Sequence, residues 1–284
     1  MILFNINDTF NNYLYSICVF LKDIIYKCCI LLLGEKMKNI SGKQNEVCFV
    51  KYINNRKIYE LNPLIIELIE DLFSDFNYDD IVYSWLNFEP QKTDFFIRIN
   101  KDIRRISLKI GDKNSVHLEP ISEFIHFLIE NNIERDIVIK YLNYHYADGS
   151  TNGSGKKRLS AAEYKLFHQE EIDKINKAFN SDEFIKNAIL RFVLKGRNDN
   201  NEIDALVYGS VQDFFYLTKD DMYNIIFAKR DIYSSGIHIG PLFIQPQSRN
   251  LQGNPEFEKC RYCVQVKWFN LCDHIIEYKN NKIE

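Results

Sequence analysis

The stretch Lys92-Thr-Asp94-Phe-Phe-Ile97-Arg-Ile-Asn-Lys-Asp-Ile-Arg-Arg-Ile106-Ser107-Leu108-Lys109 decides the reading of this chain. Two apolar runs, Phe95 to Ile97 and Ile106 to Leu108, flank a charged turn, and this pattern predicts a β-hairpin. The turn lies near the midpoint, so antiparallel pairing brings Asp94 and Lys109 to the same end of the strands. The ordinary outcome for such a pair is an exposed cross-strand salt bridge. The same pair also suits metal-assisted phosphodiester hydrolysis, in which a carboxylate holds a divalent cation and an amine orients or deprotonates the attacking water.

Sequence on either side extends the pattern. After Lys109, residues Asn114, Ser115 and His117 read as a polar loop, suited to sugar and phosphate oxygens or to capping the next helix. That helix is expected from Ile121 to Glu130, with Ile121, Phe124, Ile125, Leu128 and Ile129 on one face. Upstream, Gly42 to Asn55 predicts a helix with Val47, Phe49 or Val50 and Ile53 turned inward. Glu46 is expected in its first turn, either as a partner for the helix dipole or facing the hairpin to complete a metal site.

Glu46 on a leading helix, Asp94 at the start of a strand, Ser107-Leu108-Lys109 on the next strand and a helix immediately behind resemble the PD-(D/E)XK, or restriction endonuclease-like, nucleases. Segments 148–161 and 238–250 add a weaker likeness to bacterial proteins of that kind. The resemblance implies a mixed α/β fold with a central mixed sheet flanked by helices. It implies Mg2+ held by Asp94, Glu46 and the carbonyl of Leu108, with Lys109 positioning water for in-line attack. The implied substrate is double-stranded DNA, cut by a homodimer of restriction type, with a cognate DNA methyltransferase in the same system.

The chain departs from the pattern at Ser107, where the family usually carries Asp or Glu. Serine brings no second charge to a metal. Either Glu123 or Glu119, around the start of the next helix, takes that role, or the protein is an inactive relative that only binds nucleic acid. Gln265-Val-Lys267 offers a second Gln-X-Lys arrangement, ranked lower because no Asp precedes it at hairpin distance and no helix clearly follows.

In the second half, Ile133 to Tyr146 is expected to be helical and Ala147 to Arg158 to form a flexible basic loop ending in Lys156, Lys157 and Arg158. The loop is no nucleotide-triphosphate cradle, because Ser150 and Lys157 stand where a P-loop needs glycine and a hydroxyl. Ser160-Ala-Ala-Glu163 is a capping box that opens a helix through Phe179, and Ser181 opens another through Leu194. Strands are expected at 205–208, 214–217, 237–244 and 262–269, with a helix at 219–228. His238, Gln245, Gln247, Arg249, Asn250, Gln265 and Lys267 cluster in the last strands and their link, and His, Gln, Asn, Arg and Lys side chains of this kind can read base edges.

The 284 residues, 46 % of them hydrophobic, are enough for one large core or two joined ones. Their expected division is an apolar extension at 1–36, a nuclease core at 37–147, the basic loop at 148–159, and a part at 160–284 that completes the sheet and contacts DNA. Net charge is -3, a mild argument against nucleic-acid binding that patches such as Lys101 to Arg105 offset locally. Seven cysteines, an odd count outside any short secreted framework, point to a reducing cytoplasm. Cys260 and Cys263 are disfavoured as zinc ligands, since strand residues three apart face opposite ways. Residues 13–33 approach the length of a membrane span, but Lys22, Asp23 and Lys27 interrupt them. They are expected to pack on the domain or mediate assembly, or else to precede a start at Met37.

Overall fold

Ser41 opens the described chain as a helix cap, its Oγ accepting the Gln44 amide at 3.2 Å while Gln44 Oε1 accepts the Ser41 amide at 3.1 Å. The computed structural model describes residues 41–111, 115–155, 158–197, 201–230, 236–247 and 260–283. The apolar extension expected at 1–36 lies outside these residues. Among the described residues no helix is long and apolar enough to cross a membrane.

The first helix, α1 (Gly42–Ile53), leads into the short strand β1 (Arg56–Lys57), helix α2 (Pro63–Leu72) and strand β2 (Ile81–Leu86). Asn62 caps α2 with Pro63 at its first position, where a missing N–H costs nothing. The predicted hairpin follows as β3 (Phe95–Ile99) and β4 (Asp102–Lys109), with Asn100 in the turn at φ 53°. The remaining elements are β5 (Ser115–Pro120), α3 (Ile121–Glu130), α4 (Arg135–Tyr146), α5 (Ala161–Phe179), α6 (Asp182–Ala188) and a π-helical stretch (Ile189–Lys195). Then come β6 (Ala205–Ser210), β7 (Asp213–Thr218), α7 (Lys219–Ala228), β8 (Ile237–Ile239), β9 (Leu242–Pro246), β10 (Cys263–Lys267) and α8 (Leu271–Ile283).

The strands form two sheets where one was expected. A six-stranded mixed sheet has the order β1-β2-β3-β4-β6-β7, and a four-stranded sheet has the order β5-β10-β9-β8. In the first, only β4 and β6 run parallel, with Ser107 beside Leu206 and Lys109 beside Tyr208. All pairings in the second are antiparallel. The class is therefore mixed α/β, as expected. Residues 115–120, expected in a loop, form instead an edge strand of the second sheet, where alternation buries His117 and Glu119 and leaves Leu118, between them, half exposed.

Alternation along β3 buries Phe95, Ile97 and Ile99 under α1 and α2. Phe49 of α1 stacks on Phe95 at 5.7 Å and meets Phe214 of β7 edge-on at 5.5 Å. The opposite face of the large sheet, through Leu206, Tyr208 and Leu217, belongs to a second cluster built with the other helices and the small sheet. Two side-chain amides, one buried and one partly so, dock the leading helices onto the β6–β7 turn: Asn45 Nδ2 donates to the Gly209 carbonyl at 2.7 Å and Asn62 Nδ2 to the Val211 carbonyl at 2.8 Å. On α3 the buried face is Ile121, Phe124, Phe127 and Leu128, with Ile129 exposed. The crowd of Phe127 and Phe192 rings, 5.1 Å apart, turns the inner stripe by one position from the expected one.

Candidate active site

Register alone carries Asp94 to Ser107. With Phe95 opposite Ile106, the next pair outward is Asp94 and Ser107, and the Asp94 amide donates to the Ile106 carbonyl at 2.8 Å. Asp94 Oδ2 then accepts the Leu108 amide at 2.5 Å and the Ser107 hydroxyl at 3.1 Å. Lys109 Nζ stands 3.5 Å from the same oxygen and donates to Ser107 Oγ and to the Leu108 carbonyl, each at 3.0 Å. Asp94 and Lys109 thus share one face and one end of the hairpin, each about one fifth exposed at the side chain. Serine in the position of the expected acid serves as a bridge, giving a hydrogen bond to the carboxylate and taking one from the amine.

Glu46 joins this group from α1. It lies in the second turn of that helix, not the first as expected, so the helix terminus is not its partner. Its carboxyl is raised above the usual carboxylate range, first by burial and then by the charge of Asp94, with Lys43 and Lys109 pulling the other way. Two carboxylates close enough to repel, with a lysine beside them, form an arrangement that a hard cation would relieve. Among the described residues no cluster of three or more His, Cys, Asp or Glu side chains could hold a metal. A cation here would rest on Asp94, Glu46 and waters. The Leu108 carbonyl already accepts a bond from Lys109.

Glu119 does not supply a further acid. It is buried on β5, its Oε2 accepting Arg191 Nη2 at 2.7 Å and Nε at 3.2 Å, with His117 Nε2 3.2 Å away. Burial works to raise its carboxyl, but the bond and charge of His117 and Arg191 override that and hold it below the usual range. Glu123 lies in the first turn of α3, half-buried, and its carbonyl accepts Arg191 Nη2 at 3.5 Å. Arg191 comes from the π-helical stretch, and sequence reasoning missed it for want of any motif.

Lys92 was missed too, although it opens the decisive stretch. Its Nζ donates to the carbonyls of Val116 on β5 and, at 2.6 Å, of Phe192 in the π-helical stretch. Burial, aided by the charge of Lys109 and opposed by that of Asp94, pulls its amine down to about 7. The amine donates to both carbonyls whether charged or neutral, so the side chain ties the residues leading into β3 to the second sheet and to the π-helical stretch.

The expected base-reading residues divide. Gln265 Nε2 donates to Ser115 Oγ at 3.1 Å, and Gln245 Nε2 to Gln265 Oε1 at 3.3 Å, making a polar row across β5, β10 and β9. Lys267, two residues from Gln265, shares that half-exposed face. His117 and His238 do not: both are buried, His238 with Nδ1 3.0 Å from the Gly240 carbonyl, and burial lowers both imidazoles. Arg158 is also buried, donating to the His145 carbonyl, so it is no solvent-facing phosphate contact. Asn114, Lys156, Lys157, Arg249 and Asn250 lie outside the described residues.

The described part of the loop after α4 carries a set of local hydrogen bonds. Asp148 gathers it, accepting from the Ser150 amide at 2.9 Å, the Ser150 hydroxyl at 2.7 Å, the Gly155 amide at 3.1 Å and Arg261. Near the other end of the chain, the strand expected at 262–269 is confined to Cys263–Lys267, and His274 Nδ1 accepts the Trp268 indole N–H at 2.9 Å. Helix α8 does follow Gln265-Val-Lys267, contrary to expectation.

No family model matches the chain, and no similar protein is found among curated proteins.

Proposed function

We propose that this protein is a magnesium-dependent endodeoxyribonuclease of restriction type, with the restriction endonuclease-like fold. The observation that carries this reading is the pairing of Asp94 with Lys109 at one end of the large sheet, with Glu46 near enough to feel both charges. That end is where the parallel strands β4 and β6 both finish, the location where open α/β sheets tend to bind ligands. Asp94 and Glu46 would hold Mg2+, which when bound offsets charge on a phosphodiester and lowers the pKa of bound water. Lys109, fixed by Ser107 and the Leu108 carbonyl, orients water beside Asp94. The row Ser115, Gln265, Gln245 and the nearby Lys267 supply contacts to DNA. A homodimer would cut both strands, in the cytoplasm, alongside a DNA methyltransferase.

A second reading, a non-cleaving nucleic-acid-binding relative, draws on Ser107. Among the described residues no third acid joins Asp94 and Glu46, and the serine hydroxyl is committed to Asp94 and Lys109.

Plasmid and phage DNA incubated with the purified protein, with magnesium or with EDTA, separate the two. Discrete fragments that require magnesium and disappear in Asp94→Ala and Lys109→Ala support cleavage. Retention of DNA on a gel without any fragments supports the second reading.

A further inference from the structure

Beside the candidate site the described residues enclose a cleft of about 390 Å3, within the roughly 300–1,000 Å3 range of small-molecule sites. Its polar lining is Gln91, Lys92, His117, Lys195 and Arg197, with no carboxylate among the described residues that line it. Pro90, Val116 and Pro120 give it apolar walls. The cations are there for a structural reason. Gly196, at φ 79°, closes the π-helical stretch by giving its amide to the Arg191 carbonyl at 2.8 Å, and the turn sets Lys195 and Arg197 at the rim. Among the described residues Glu202, 3.9 Å from Lys195, is shared with Lys219, so Lys195 is not tied to a carboxylate of its own. Lys92 joins the two places: it lines the cleft, and it lies close enough to Asp94 and Lys109 to feel both charges.

We propose that this cleft binds a phosphorylated nucleoside, namely the nucleotide unit adjoining the scissile phosphate of the strand held at Asp94. The placement beside the scissile phosphate rests on the endonuclease reading above. Lys195 and Arg197 meet the phosphate with charge-assisted hydrogen bonds, the Gln91 amide offers both a donor and an acceptor to a base edge, and the proline walls cover a flat ring.

Isothermal titration calorimetry on the full chain, with thymidine 5′-monophosphate, thymidine and inorganic phosphate as ligands, tests it. The monophosphate is expected to bind more tightly than either thymidine or phosphate, and more weakly as salt rises. The Lys195→Gln/Arg197→Gln double variant is expected to lose about tenfold or more, the worth of one charge-assisted hydrogen bond, and Lys195→Arg/Arg197→Lys to recover it. No binding of the monophosphate at millimolar concentration, or equal binding by the double variant, overturns the proposal. Thymidine binding as tightly as its monophosphate overturns it as well, and so does inorganic phosphate binding as tightly. Plasmid cleavage measured on the same preparations keeps the two readings apart. Nucleotide binding without cleavage sinks the endonuclease alone, whereas cleavage that is untouched in the double variant, with no nucleotide binding, sinks the cleft alone.

Discussion

The amide of Leu108 donates to Asp94 Oδ2 at 2.5 Å, so the main chain of one hairpin strand fixes the carboxylate of the other. A carboxylate aimed by backbone keeps its direction whether or not a ligand is present. Among the described residues its hydrogen bonds fall on Oδ2, from the Ser107 hydroxyl and the Leu108 amide, with Lys109 beside the same oxygen.

Replacing Asp94 should therefore separate folding from function. Asp94→Asn keeps an oxygen for the Leu108 amide and is expected to melt close to the parent. Asp94→Ala strands that amide and should lose about 1–3 kcal/mol. Both are expected to reduce magnesium-dependent DNA cleavage to background. Thermal melts followed by circular dichroism, run beside the plasmid assay, check this; an Asn variant that still cuts removes Asp94 from the site.

For Lys109 the expected loss in Lys109→Met is roughly 10²–10⁴-fold in cleavage rate, the usual contribution of a positioned acid or base. DNA binding measured by gel shift should change far less, since the amine is held within the hairpin by Ser107 and Leu108.

Glu46 gives a pH prediction with a definite sign. Its carboxyl is raised by burial and by Asp94, so the folded protein holds this proton above the pH at which the unfolded chain releases it. Stability conferred by the protonated form is present below the usual glutamate range and is lost as pH rises through the raised value. Glu46→Gln should flatten that loss in urea titrations run without divalent metal, and should weaken magnesium binding measured calorimetrically.

Glu119 and Glu123 should part company. Glu119→Gln breaks a buried pair with Arg191 and is expected to cost about 3–5 kcal/mol in urea unfolding. Acidification from the ordinary glutamate range down through the depressed Glu119 value should lower the stability of the parent, a fall that Glu119→Gln lacks. Glu123→Gln should unfold like the parent. If Glu119→Gln is as stable as the parent, the ion cluster on β5 is not what joins that strand to the π-helical stretch.

Lys92 predicts a rise on the alkaline side. Its amine is pulled down to about 7, so the unfolded chain binds the extra proton from there up to the ordinary lysine range. Stability should climb across that window, and Lys92→Met should abolish the climb. A parallel pH profile for parent and variant would show that the side chain is charged in the fold.

Much of this was written in local pattern. The hairpin, the capping box at Ser160, and the inward stripe of Phe49 and Ile53 follow from periodicity and hydrogen-bonding chemistry within a few residues. The meeting of Asp94 with Lys109 needed only strand register. Three things lay beyond local reading. Residues 115–120 alternate weakly and include His117 and Glu119, whose burial depends on Arg191 more than seventy residues later. Lys92 looks like a surface lysine until Val116 and Phe192 close over it. The division into two sheets depends on β10 choosing β5 and β9 as neighbours, a long-range pairing that no window of sequence encodes.

The parallel pairing of β4 with β6 also governs how the chain assembles. The hairpin bearing Asp94 and Lys109 leaves the ribosome with its outer rim unpaired, and the strand that seals the rim is made only after everything from Ile110 to Asp204 has emerged. Throughout that interval a row of open amides and carbonyls is offered to any extended neighbour. Arg104 and Arg105, carried on the waiting strand, give it the charge that discourages such capture until the rest of the polypeptide arrives.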